Sequence, residues 1–175
     1  KILSACVFAF VVFLAAGTQS KAAVNMGVKQ TGAGSSYVDL AWDAQLGAGH
    51  YHTQFSQDGK NWIDMDNSSS PSESVYNLTQ GASYYARVVA YKGSHYTGTH
   101  VMIGVSETAI VSTKPTEVSG LTQTAAGVNS VSMSWNASAG AASYVIYGYI
   151  NYNWTQIGTS ATNSATITGV AATTS

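Results

Sequence analysis

Charge, cysteine and proline are all scarce in this sequence, and each shortage excludes something. Charged residues occupy 9% of the 175 positions and the formal net charge is −1, against roughly 25% charged residues in ordinary soluble domains. There is no basic footprint for nucleic acid and no strong field to steer a charged partner. The one cysteine, Cys6, leaves no intrachain disulfide, and two prolines, Pro71 and Pro115, exclude a proline-rich stalk. Helical periodicity is missing as well. After Val24 no segment keeps apolar residues at i, i+3, i+4 and i+7 over several turns. Catalytic motifs are equally sparse. No G-x-S-x-G elbow occurs, and the glycine-rich stretches "GAGSS" and "GAGH" lack the Lys-Ser/Thr pair of a phosphate loop. The sequence therefore implies no catalytic residue and no cofactor.

What is present is apolar and aromatic. Hydrophobic residues make up 45%, with 11 Tyr and 4 Trp, enough surface to form a core and unlike a disordered chain. Lys1 precedes the uncharged run "ILSACVFAFVVFLAAG", and Ser20-Lys21-Ala22 supplies small residues at the exit. That pattern reads as a secretory signal peptide over residues 1–22. The run is shorter than the roughly 20 residues a membrane span needs. The chain is thus expected to be exported, without a membrane segment after cleavage, to the cell surface or medium. Export without a disulfide framework favours a bacterial-type protein.

Beyond the leader the pattern is strand alternation. "SYVDLAWDA" puts Val38, Leu40 and Trp42 on one face. "HYHTQFS" puts Tyr51, Thr53 and Phe55 on one face and His50, His52 and Gln54 on the other. "SYYARVVAY" sets Tyr84, Ala86, Val88 and Ala90 against Tyr85, Arg87, Val89 and Tyr91. Short alternating runs separated by Gly/Ser/Asn turns predict an antiparallel sandwich. The pattern also repeats. Trp42 and Trp135 stand 93 positions apart, as do Tyr51 and Tyr144. Such a period is too long for a solenoid and matches the roughly 100 residues of one β-sandwich domain.

On these residues the chain resembles the fibronectin type III family. Trp42 and Trp135 take the strand-B tryptophan position. "LTQGASYYARVVA" resembles the E–F corner and strand F, with Leu78 and Gly81 preceding Tyr84 at the tyrosine-corner position. The resemblance implies an all-β, immunoglobulin-like sandwich in tandem: residues 23–114, then 115–175. The second copy reaches "ATITGVAATTS" without a tyrosine corner, so the resemblance implies a truncated repeat lacking strands F and G. The linker "STKPTEVSG" has one proline and little else to stiffen it.

Candidate sites are few. Asp58-Gly59, with Asp64 and Asp66 following, suggests a metal loop at first sight. Its spacing and lack of a terminal Glu depart from an EF-hand, and Asp-Gly between β-rich runs predicts a two-residue hairpin with φ > 0 at both positions. His50 and His52 share a strand face, and His95 and His100 follow in what reads as a long connection from Tyr91 to Gly104. The four could supply zinc ligands, but the sequence favours His50 and His52 as decoration of a solvated face and no metal. The better candidate is a binding face of His50, His52, Tyr85, Arg87, Tyr91 and Tyr96, types common at interfaces. In the second copy Tyr147, Tyr149, Tyr152 and Trp154 offer aromatic surface for sugars. The expected role is a monomeric, non-catalytic extracellular spacer or adhesion module binding protein or polysaccharide. The alternatives are the accessory region of an exported carbohydrase or protease, and a carbohydrate-binding module.

Overall fold

Alternating apolar residues with β-branched and aromatic neighbours build strands throughout. The computed structural model describes residues 23–93 and 100–170. The signal-peptide reading, Tyr96 and His95 lie outside the described residues. In chain order the strands of the first unit are β1 (Ala23–Val24), β2 (Lys29–Ala33), β3 (Val38–Ala41), β4 (His50–Ser56), β5 (Ile63–Ser68), β6 (Ser72–Val75), β7 (Ser83–Lys92), β8 (Val101–Ser106) and β9 (Ala109–Ser112). The second unit has β10 (Thr122–Gly127), β11 (Ser130–Ser134), β12 (Tyr144–Ile150), β13 (Asn153–Ser160) and β14 (Ser164–Thr168). No helix among the described residues is long and apolar enough to cross a membrane.

The first unit is a two-sheet sandwich. One sheet runs β2-β3-β6, and the other runs β1-β8-β7-β4-β5 with β9 also paired to β7. In the lettering of the resemblance these are strands A, B and E facing C′, C, F and G. Between them Val38, Leu40, Trp42, Tyr51, Phe55 and Val88 are buried in one apolar cluster. Each large side chain buried there is worth roughly 1.5–3 kcal/mol of transfer free energy. The connection after β7 is shorter than the sequence implies. Val101–Ser106 is strand β8, paired antiparallel to β7 and parallel to β1. Gly104 within the strand interrupts its alternation.

The second unit forms β10-β11-β14 and a separate β12-β13 ribbon, around Trp135, Ile146 and Ile167. The copies share detail beyond the tryptophans. Trp42 N donates to Pro71 O and Trp135 N to Asn163 O, both at 3.0 Å. Tyr51 and Tyr144 each meet their tryptophan edge-on, at 5.4 and 5.2 Å between centroids. Their hydroxyls accept from Gln45 N and Ser138 N, both at 3.0 Å. One difference is the edge: β4 pairs with β5 and β7, whereas β12 pairs with β13 alone among the described residues.

The linker is better held than its composition implies. Lys114 O accepts from Gly81 N at 3.1 Å, and Thr116 N donates to Ala139 O at 3.0 Å. Ala139 N returns a bond to Thr116 Oγ1 at 2.8 Å. Gly81 and Gly140 lie backbone to backbone, so a Cβ on either would run into the other chain segment.

Candidate binding face

The pleat of β4 and β7 decides which side chains point away from the core. Ladder partners on the outer face are His50 with Tyr91, His52 with Val89, Gln54 with Arg87, and Ser56 with Tyr85. The structure therefore brings five of the six candidate binding residues onto one face, the sixth, Tyr96, lying outside the described residues. Near the β4–β5 turn, Arg87 Nε donates to Gln54 Oε1 at 2.7 Å, and Gln54 Nε2 donates to Asp64 Oδ1 at 2.7 Å. The Arg87 guanidinium lies 4.0 Å from the Trp62 ring centroid, within cation–π range. Burial lowers the Arg87 pKa from its ordinary value, and the Asp64 carboxylate opposes that shift. Tyr85 stays 38% exposed beside this chain.

At the other end four rings gather. Tyr91 stacks on His50 at 5.1 Å and 11° and stands 4.9 Å from His52 and 5.0 Å from His100. Burial, reinforced by the Asp64 charge, raises the Tyr91 hydroxyl pKa above its ordinary value. The sequence reading of His50 as a solvated decoration is corrected here. His50 is 3% exposed, and Val89 on the same outer face is 2% exposed. The sequence signal that finds this is the HxH pair opposite an aromatic on the partner strand. His100 enters from the far end of the β7–β8 connection, and no local pattern announces that.

The hairpin reading of Asp58-Gly59 is also corrected. Pairing closes at Phe55 with Ile63, so the loop is longer than two residues, and only Gly59 has positive φ, at 71°. Asp58 caps the loop instead. Its Oδ1 accepts from Lys60 N at 2.9 Å, Asn61 N at 2.8 Å and Ser56 Oγ at 2.9 Å, and its Oδ2 from Asn61 Nδ2 at 2.7 Å. The backbone bonds from Asn61 and Lys60, with those from the Ser56 and Asn61 side chains, hold its carboxyl well below the ordinary range. A cleft of about 490 Å³ opens beside it over Phe55, Leu78 and Tyr84. With its oxygens engaged by the loop, Asp58 is poorly placed to serve a ligand there. Asp64 and Asp66 are exposed on β5.

The structural candidates sit inside. Trp42, Leu78 and Tyr84 belong to the first cluster and Trp135 to the second. Tyr84 Oη accepts from Thr79 N at 2.9 Å, tying strand F to the corner. In the second unit the outer face of the ribbon carries Tyr147, Tyr149 and Trp154. Tyr149 and Trp154 are cross-strand partners 5.4 Å apart, at 60% and 72% exposure. Asn151 and Tyr152 both have positive φ, at 50° and 64°, so the two-residue turn lies in this copy.

The paired sheets, the ABE/C′CFG order and the tyrosine corner make the first unit a fibronectin type III-like β-sandwich. No protein-family profile and no curated protein matches the chain. Among solved structures it is similar to a domain of human fibronectin type III domain containing protein 3, at 18% identity over 54% of this chain and 92% of that one, TM-score 0.40. A titin segment gives 21% identity over 50% of this chain and 30% of that one, TM-score 0.39. A β-1,2-glucanase from Parabacteroides distasonis gives 17% identity over 56% of this chain and 14% of that one, TM-score 0.43.

Proposed function

We propose that the chain is a non-catalytic, exported module that presents the outer face of β4 and β7 to a protein or polysaccharide at a cell surface. The observation that carries this is the pre-set chain Trp62–Arg87–Gln54–Asp64 on the same strand face as Tyr85 and Tyr91. Arginine and aromatic side chains dominate binding hot spots. Here they are already ordered, so association loses less side-chain entropy. The test is to screen the full chain against glycan and peptide arrays and repeat with single variants. Arg87→Ala is expected to weaken the ligand found by about tenfold or more. Lys29→Ala, on the opposite sheet, is expected to leave binding unchanged. A ligand indifferent to both Arg87→Ala and Tyr85→Ala, or a ligand that the chain chemically turns over, defeats the proposal.

A second reading rests on the exposed Tyr149–Trp154 pair. Aromatic faces set side by side stack on the apolar faces of sugar rings, so this ribbon would be the carbohydrate-binding element. Loss of polysaccharide retention in Trp154→Ala, with Arg87→Ala unaffected, would select it.

A further inference from the structure

We infer that His50, His52 and His100 form a site for one divalent transition-metal ion of the zinc type, with Tyr91 as its wall. This goes beyond the proposed function, since the ion would bind whether or not the face meets a macromolecule. The chain holds four histidines, and three of them meet at one place. Their ring centroids form a triangle of 5.4 Å (His50–His52), 5.3 Å (His50–His100) and 6.1 Å (His52–His100). Tyr91 caps that triangle at 4.9–5.1 Å from each. Zinc–nitrogen bonds of about 2.0–2.1 Å in tetrahedral array place imidazole centroids about 5 Å apart. The observed spacing is already close to that.

The second observation concerns His50. Its Nδ1 lies 3.0 Å from Gly93 O, and a carbonyl can only accept. Nδ1 therefore carries the hydrogen, which makes Nε2 the ring nitrogen that can ligate. A backbone carbonyl fixing the far ring nitrogen in this way is the usual support of a metal-binding histidine. As the side chains stand, no group of three His, Cys, Asp or Glu among the described residues could hold a metal ion. Closing the set takes rotation of the His52 and His100 rings about χ2, a broad torsion, with the His50 ring held on Gly93 O. Neutral imidazole donors select zinc, nickel or copper over calcium and magnesium, and three protein ligands leave the fourth position to water or to a donor from a partner.

The test is calorimetric titration of the full chain, carrying no polyhistidine tag, with zinc, nickel, calcium and magnesium. One equivalent of zinc or nickel is expected to bind in the micromolar range or tighter and to raise the unfolding temperature; calcium and magnesium are expected to give no heat. His52→Ala and His100→Ala should each weaken zinc binding by about tenfold or more. Their metal-free unfolding temperatures should stay close to the parent's, which separates ligand loss from misfolding. No zinc heat, or zinc binding that survives both variants, overturns the inference. Running the array screen with and without EDTA separates this claim from the proposed function. Macromolecular binding that persists in EDTA, with no zinc uptake, rejects the metal site alone. Zinc uptake with no array ligand rejects the binding-face proposal alone.

Discussion

Asp58 shows how far a single residue can be read from its neighbours. Its position between Ser56 and Asn61, with Asp64 and Asp66 near, suggests a ligand; its hydrogen bonds show a loop cap. Because folding depresses this carboxyl, the stability it contributes is present above the ordinary carboxylate range of about 4. It is lost as pH falls through that range towards the lower folded value. Asp58→Ala should therefore be less stable than the parent at pH 6, with the gap in unfolding temperature closing between pH 4 and pH 2. A gap independent of pH would contradict the cap. Tyr84 was legible because its spacing from Leu78 and Gly81 is a family signature. Tyr84→Phe should lower stability by about 1 kcal/mol in urea unfolding, through the bond lost at Thr79 N. The matching bonds of Tyr51 and Tyr144 were not foreseen, although both tyrosines follow their capped residue by the same interval in each copy.

Among elements, alternation revealed β3, β4 and β7 because the inner face of each is buried throughout and the outer face at most in places. It failed where cover arrives from elsewhere. His50 alternates with the polar set yet is buried, since Tyr91 and His100 come from β7 and the approach to β8. The turn chemistry was transposed: Asp-Gly suggested a two-residue hairpin in the first copy, but Asn151-Tyr152 makes it in the second. A left-handed backbone costs a side-chain-bearing residue about 1–2 kcal/mol, so Tyr152 is strained where glycine would not be. Tyr152→Gly creates the favoured Asn-Gly pair. It should stabilise the β12–β13 ribbon by about 1 kcal/mol, read as slower amide exchange at Tyr149 and Trp154.

Across the whole molecule the two units are unequal. Thirteen buried residues make the first core and three the second among the described residues. The first unit should therefore carry the main cooperative unfolding transition. Leu40→Ala should lower that transition by about 2–5 kcal/mol, whereas Ile146→Ala should leave it in place. Two calorimetric transitions of similar size would contradict this. The repeat period points to a tandem plan; the linker bonds and the Gly81–Gly140 approach leave no sequence signal, because they join segments distant in sequence. The outer face of β4 and β7 holds its side chains in fixed mutual contacts. Nitrogen-15 NMR of the histidine rings tests this most directly. His50 is expected to hold its hydrogen on Nδ1, and Tyr91 to give strong ring-to-ring contacts to His50, His52 and His100. Rapidly averaged rings with the hydrogen of His50 on Nε2 would contradict it.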